Sequence, residues 1–266
     1  MISAARIAAA TESALACGAL QPIHAESALI EDAGAQFVVR VASSLVAKAA
    51  AAKAPGRSDP LGEHDPDLFV GDVGLAHYAL LNKYPVMSPH LLLVTRAFEP
   101  QERLLGAADF AALGALLEEL DWLAFYNGGR DAGASQGRKH LQLVPLPLAA
   151  EVAAPLPLEP LITTGRLPFR HAYAPLARLA DMEARYQELL ARCAISALAD
   201  GRQSAPYNLL ATRRWMLVVP RLRESFDGVS LNALAFAGSL FVRDRRQLER
   251  IKSAGPINVL RAVALE

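Results

Sequence analysis

The sequence predicts an α+β protein. Two observations carry the assignment. Short apolar runs of strand length follow one another directly, separated by turn residues, as antiparallel strands do. A smaller number of longer stretches place apolar residues at helical spacing, without one helix after every strand. At 266 residues, 53% hydrophobic and 20% charged, the chain carries enough apolar material for a substantial core, which excludes a disordered chain. It contains no repeat of fixed period.

The elements follow in order. Residues 2–17 read as an alanine-rich helix ended by Gly18. A hairpin is expected over 26–43, with Ala28-Leu29-Ile30 and Phe37-Val38-Val39-Arg40-Val41 joined by a turn at Asp32-Ala33-Gly34. Residues 44–54 are expected to be helical and carry Lys48 and Lys53, and 55–66 is a loop crowded with Pro, Gly, Asp and Ser. Strands are expected at Leu68–Val70, His77–Tyr84 and His90–Thr95. Residues 107–125 read as an amphipathic helix, because Phe110, Leu113, Leu116, Leu117 and Leu120 share one face. Seven of the 17 prolines fall within 145–175, which marks an internal linker or joining arm. A helix over 176–198, a strand pair or one long strand over 208–220, an apolar stretch at 229–242 and helices at 244–254 and 257–265 complete the chain.

Composition narrows the function. Lysine plus arginine equals aspartate plus glutamate at 27 each, so the broad basic footprint of a nucleic-acid binder is missing. No apolar run approaches a membrane span. Thr11, Glu12 and Ser13 interrupt the apolar stretch that a secretory leader would need before Cys17. Cys17 and Cys193 fit neither a disulfide framework nor metal spacing, which points to a reduced, cytoplasmic protein. His77 and His90 each open an apolar strand with no third ligand at metal spacing, so both are read as structural histidines rather than zinc ligands.

The chemistry concentrates in one stretch. Asn127-Gly128-Gly129-Arg130-Asp131-Ala132-Gly133-Ala134-Ser135-Gln136 is a glycine-rich loop, and it leads into the strand-like Arg138-Lys139-His140-Leu141-Gln142-Leu143-Val144. Side chains alternate along a strand, so Arg138, His140 and Gln142 share a face while Leu141 and Leu143 enter a core. Loops of this kind converge N–H groups on anions. A neutral imidazole beside such a loop suits nucleophilic attack on a phosphate-bearing substrate. Alone, the loop is ordinary turn material and the histidine an ordinary half-buried one; their adjacency, with Gln142, favours the catalytic reading. On the residues alone, Lys48, Asn82 and Lys83 are ordinary solvated positions.

The run Gly133-Ala134-Ser135-Gln136-Gly137-Arg138-Lys139-His140-Leu141-Gln142 resembles the signature of the diadenosine tetraphosphate phosphorylases, or ATP adenylyltransferases, of the histidine triad superfamily. Further segments agree in order. They are Phe37–Arg40, Asp65–Val70, Leu81-Asn82-Lys83, His90–Gln101, Pro206-Tyr207-Asn208-Leu209-Leu210 and Asn232–Gly238. The resemblance covers nearly the whole chain and is specific in combination. It implies a histidine-triad-like antiparallel sheet flanked by helices in a single elaborated domain. Within it, 1–150 holds the glycine-rich loop and catalytic strand, 151–200 the proline-rich arm and a helix, and 201–266 the C-terminal part.

The resemblance also implies a mechanism. His140 attacks the α-phosphate of diadenosine tetraphosphate, ATP leaves, and phosphate removes the adenylyl group as ADP, with Gln142 bonding the phosphate or leaving oxygen. Nucleotide contacts are expected from Lys48, Asn82, Lys83, Asn127, Gly133, Ala134, Ser135, Gln136, Arg138, Asn232, Ala233 and Leu234, and from Ser239 and Arg243, which stand where the family has methionine and lysine. The partners are adenine nucleotides with phosphate or sulfate, and not nucleic acid or membrane. No cofactor is held tightly; magnesium is expected only with the nucleotide. Monomer and homodimer both stay open. Two departures stand out: Arg138 replaces a histidine usual in the family, and Ser58-Asp59-Pro60-Leu61 replaces an Asn-Pro-Phe-like segment. The alternatives are an adenylylsulfate:phosphate adenylyltransferase and an inactive nucleotide sensor motivated by Arg138.

Overall fold

The computed structural model of the chain describes residues 2–42, 59–152 and 154–266. The helix expected over 44–54, with Lys48, lies outside the described residues. An eight-stranded sheet forms the centre. Its strands are β3 (Phe69–Val73), β4 (His77–Leu81), β5 (Leu91–Thr95), β6 (Trp122–Gly128), β7 (His140–Pro145), β8 (Ala172–Pro175), β9 (Tyr207–Ala211) and β10 (Trp215–Pro220). They lie in the order β3-β4-β5-β7-β6-β9-β10-β8, and every neighbouring pair is antiparallel. The expected α+β class and the antiparallel sheet are therefore present.

Period-two alternation sorts the side chains between two layers. Ala79, Leu91, Leu93, Leu141, Leu143, Ala124, Tyr126, Leu209, Met216 and Val218 form one core with α1 (Ala4–Ala16), α2 (Ala107–Glu119) and α4 (Met182–Arg192). Leu123, Phe125, Val144, Leu210, Leu217 and Val219 face the opposite way. Over them lie a second sheet, β1 (Glu26–Asp32), β2 (Ala35–Val41) and β11 (Ser239–Val242), and the terminal helices α5 (Arg245–Ala254) and α6 (Pro256–Val263). A third cluster of Leu61, Tyr78, Leu80, Leu92 and Val94 occupies the β4–β5 part of this same face. His140 and Gln142 pair with Val94 and Leu92, so they sit on the sheet between the two clusters.

Three expectations change. The helix read over 107–125 ends at Glu119, and Trp122–Gly128 is the strand β6. Leu120 leaves helical geometry at φ −121°, ψ 121° yet still completes the buried stripe. The apolar pattern therefore runs without a break into residues buried on both faces of a sheet, where periodicity cannot separate helix from strand. The prolines of 145–175 do not make a free tether. Leu156, Leu158, Leu161 and Ile162 are buried in the second core around α3 (Glu159–Thr163), so the arm is laid over the sheet. The helix read over 176–198 shortens to Met182–Arg192.

Candidate active site

His140 opens β7 and is buried, 5% exposed. Its Nδ1 lies 2.9 Å from the carbonyl of Arg138. A carbonyl only accepts, so Nδ1 carries the proton and Nε2 keeps its lone pair. Burial pushes the imidazole below the ordinary histidine range, against a smaller upward pull from the Arg138 carbonyl. The side chain is thus neutral near pH 7, in the tautomer with a nucleophilic Nε2.

A polar chain ends beside it. The Tyr84 N–H donates to Asn82 Oδ1 at 3.3 Å, which turns Asn82 Nδ2 toward His90 Nδ1 at 3.2 Å. His90 Nδ1 is therefore an acceptor, and its Nε2–H donates to Gln142 Oε1 at 3.0 Å. The polarity of every member follows from one backbone N–H. Gln142 ends the chain with its Nε2 amide as a donor that no described residue accepts. His90 was expected to be structural only; here it orients Gln142. Its contact spans 52 positions in sequence, and no local pattern announces it.

A second chain orients Asn127. Arg221, 3% exposed, donates through NH1 to Asn208 Oδ1 at 2.6 Å and to the Leu231 carbonyl at 3.0 Å, and through NH2 to the Arg223 carbonyl at 2.7 Å. Desolvation brings its guanidinium down to about 10, still charged at neutral pH. With its Oδ1 taken by Arg221, Asn208 donates through Nδ2 to Asn127 Oδ1 at 2.9 Å and to the Ala132 carbonyl at 2.8 Å. Asn127 Oδ1 also receives the Ala233 N–H at 2.9 Å. That leaves Asn127 Nδ2, like Gln142 Nε2, as a donor without an acceptor among the described residues. Neither Asn208 nor Arg221 was singled out from sequence, although Asn208 lies in a matching segment.

The glycine-rich loop folds back onto the C-terminal segment. Gly133 has φ +91°, and a Cβ there would stand 2.8 Å from the Leu231 carbonyl and 2.9 Å from the Asn232 Cα. Only glycine combines that backbone with that approach. Asn232 caps the 3₁₀ turn 233–237 by accepting the Leu234 N–H at 3.0 Å. The structure therefore brings Asn127, Gly133, Asn232 and Ala233 together; Leu234 is buried behind them. Ala134, Ser135 and Gln136 follow on the loop, with Ser135 exposed. No side-chain hydrogen bond to a described residue occupies Ser135 or Gln136.

Other expected residues fall elsewhere. Arg138 does not offer its guanidinium beside His140. Its Nε bonds Asp59 Oδ2 at 2.8 Å, its NH2 pairs with the same carboxylate, and NH1 bonds the Thr95 carbonyl at 2.8 Å. Ser239 is buried and accepts from Arg40 NH1 at 2.6 Å. Arg243 is exposed and donates to the Gly228 carbonyl at 3.1 Å. Neither touches His140, Gln142 or Asn127 among the described residues. Lys83 Nζ lies 5.9 Å from the Tyr84 ring centroid. Among the described residues, no group of three or more His, Cys, Asp or Glu could hold a metal ion.

Residues 2–164 match the model of the Ap4A phosphorylase N-terminal domain, and residues 165–266 that of the ATP adenylyltransferase C-terminal domain. The chain is 30% identical to diadenosine 5',5'''-P1,P4-tetraphosphate phosphorylase 2 of Saccharomyces cerevisiae, over 88% of this chain and 85% of that one. Its fold superposes on the crystal structure of yeast Ap4A phosphorylase Apa2 with a TM-score of 0.80 at 26% identity, covering 98% of this chain and 93% of that one. The complex of Apa2 with Ap4A gives 0.82 at 25% identity, covering 98% and 96%.

Proposed function

This chain belongs to the Ap4A phosphorylase family of nucleotidyltransferases, and from that premise we propose that it splits diadenosine tetraphosphate by phosphorolysis through an adenylyl group on His140. The observation that carries the proposal is the tautomer of His140, whose Nδ1 proton is held by the Arg138 carbonyl, while no described residue bonds its Nε2. Nε2 attacks the α-phosphorus, forming a P–N bond. The bond from that phosphorus to the bridging oxygen breaks, and ATP leaves with the oxygen and its electron pair. The imidazole now carries positive charge, and its Nδ1–H bond to the Arg138 carbonyl strengthens accordingly. Inorganic phosphate then attacks the same phosphorus; the P–N bond breaks, ADP leaves, and the neutral imidazole returns.

The amide donors of Gln142 and Asn127 face the charge that builds on phosphoryl oxygens, and they are already oriented before substrate arrives. The loop 133–136 and the segment 232–233 form the nucleotide cradle. The site needs no tightly bound cofactor, and magnesium travels with the nucleotide. The two cysteines are free thiols, which supports a cytoplasmic setting. The inactive-sensor alternative loses its motive, because the Arg138 side chain is spent on Asp59 while its carbonyl supports the catalytic tautomer.

Intact-protein mass spectrometry after mixing with diadenosine tetraphosphate in the absence of phosphate tests the reading. The expected product is one AMP bound to His140, released as ADP when phosphate is added. Replacing His140 with alanine removes the adduct and lowers turnover about 10³-fold or more. AMP release at full rate without phosphate, or no adduct at all, refutes the proposal. The same assay with adenylylsulfate decides between the two adenylyl donors.

A further inference from the structure

The catalytic strand parts from its neighbour at the nucleophile, and a single side chain fills the gap. Strands β6 and β7 pair from Trp122↔Pro145 to Phe125↔Gln142. Carried two residues further, this register would set Asn127 opposite His140. The ladder stops instead. β6 still pairs with β9 as far as Gly128↔Tyr207, and β7 still pairs with β5 at Val94↔His140. Only the edge between β6 and β7 opens.

Gln101 lies in that opening, 1% exposed. Its Oε1 accepts the His140 N–H at 2.9 Å, and its Nε2 donates to the Asn127 carbonyl at 2.9 Å and the His140 carbonyl at 3.3 Å. The main chain of Gln101 is itself fixed. Its N–H donates to the Gly137 carbonyl at 2.8 Å, and its carbonyl accepts the Tyr126 hydroxyl. A buried backbone group left unpaired is costly, so two strands separate inside a core only when something replaces the ladder. A primary amide is that replacement: its oxygen accepts as a peptide carbonyl does, and its two N–H bonds donate as peptide N–H groups do. Methionine has the length and none of the hydrogen bonds.

The separation matters to the chemistry. Residues directly opposite on antiparallel strands hold their Cβ atoms about 4.5–5.5 Å apart, which leaves no room for a phosphoryl group between two side chains. We propose that Gln101 is a positioning residue for adenylyl transfer. By wedging β6 from β7 it sets the spacing between the His140 imidazole and the Asn127 amide into which the α-phosphate fits. It touches neither substrate nor reacting atoms and acts through the backbone of both residues. The inference rests on the adenylyl-transfer reading above.

The test compares wild type with Gln101→Met, using steady-state kinetics with diadenosine tetraphosphate, adduct formation by mass spectrometry, and amide hydrogen exchange along β7. In Gln101→Met, kcat is expected to fall about 10²-fold with KM changed less than about fivefold, the signature of lost alignment. The His140 amide loses its exchange protection while Leu141 and Leu143 keep theirs. A kcat within about threefold of wild type overturns the proposal. So does loss of protection along all of β7 with kcat and KM changing together, which is what mere unfolding gives. Should Gln101→Met fail to fold, wild type alone decides: a His140 amide that exchanges like an exposed loop residue overturns the wedge. Absence of the adduct in wild type would refute the underlying reading, and the exchange data would still report on the wedge.

Discussion

Replacing Asn208 with aspartate reverses one buried donor and leaves the shape unchanged. In the native protein Asn208 Oδ1 faces the Arg221 guanidinium at 2.6 Å, and its Nδ2 faces two oxygens, Asn127 Oδ1 at 2.9 Å and the Ala132 carbonyl at 2.8 Å. An aspartate keeps the first contact and strengthens it to an ion pair, next to an arginine otherwise surrounded by carbonyls. That gain offsets much of the loss of two donations, each worth about 1 kcal/mol net, so the variant is expected to fold. The Asn127 amide then meets a carboxylate where a donor stood; it turns over to offer Nδ2 to residue 208, giving up the Ala233 N–H that its Oδ1 accepts at 2.9 Å in the native protein. Its oxygen now faces the nucleotide. A donor to an anionic phosphate, worth about 1.5–3 kcal/mol, is lost and replaced by a repelling acceptor. At about 1.4 kcal/mol per decade, kcat/KM for diadenosine tetraphosphate falls about 10- to 150-fold. Because the lost donor faces charge that builds in the transition state, part of that fall is in kcat. Steady-state kinetics on protein shown to be folded by thermal melting provides the assay. A folded Asn208→Asp protein with kcat/KM within threefold of wild type would refute the argument that Asn208 sets the polarity of Asn127.

Two further outcomes follow from the same geometry. Burial holds the His140 imidazole below the ordinary histidine pKa of about 6.5. Protonation there removes the Nε2 lone pair, so kcat/KM climbs as pH rises through that depressed pKa and is level by pH 7; an acid limb centred at or above pH 7 contradicts the neutral nucleophile. His90→Phe preserves the ring packed 5.8 Å from Phe125 and deletes both nitrogens, so Gln142 loses its fixed orientation. The expected cost is about tenfold in kcat, near one hydrogen bond's worth, with KM little changed; kcat within twofold of wild type would show that His90 does not orient Gln142.

What was legible in the sequence was local. The alternation through Leu141 and Leu143 placed His140 and Gln142 on one face because β7 has a buried leucine on every second residue. The hairpin of β1 and β2 was legible through its Asp32-Ala33-Gly34 turn. Strand β6 was not, because the apolar stripe of α2 reaches Leu120 and passes into Trp122 with no glycine or proline to mark the change. The residues missed at the site share a cause. His90 meets Gln142 across 52 positions, Gln101 meets His140 across 39, and Asn208 meets Asn127 across 81. Each is a polar residue whose meaning lies in a partner brought near only by the sheet. The resemblance to the family marked the segments that hold them and was silent on what they do there.

Arg138 shows how a side chain and its own main chain can carry separate duties. From sequence it was expected as a nucleotide contact and was the motive for an inactive sensor. Its guanidinium is held instead by the protein itself. It is clamped on Asp59 and on the carbonyls of Thr95 and Arg96, and lies 5.4 Å from the Phe98 ring centroid. The Asp59 contact raises the guanidinium's pKa, and the same contact lowers that of the Asp59 carboxyl, so the pair stays ionised. Asp59 belongs to the 58–61 segment, another place where the sequence was read as departing from the family's pattern. Two departures far apart in sequence are therefore one structural feature: an ion pair that seats the turn at 59–62, whose Leu61 carbonyl also receives the Tyr78 hydroxyl at 2.8 Å. In the proposed mechanism the duty that bears on catalysis stays with the Arg138 carbonyl, which any residue at that position supplies. Arginine there sets how the rim beside the β4–β5 face is held, and the tautomer of His140 does not depend on its side chain.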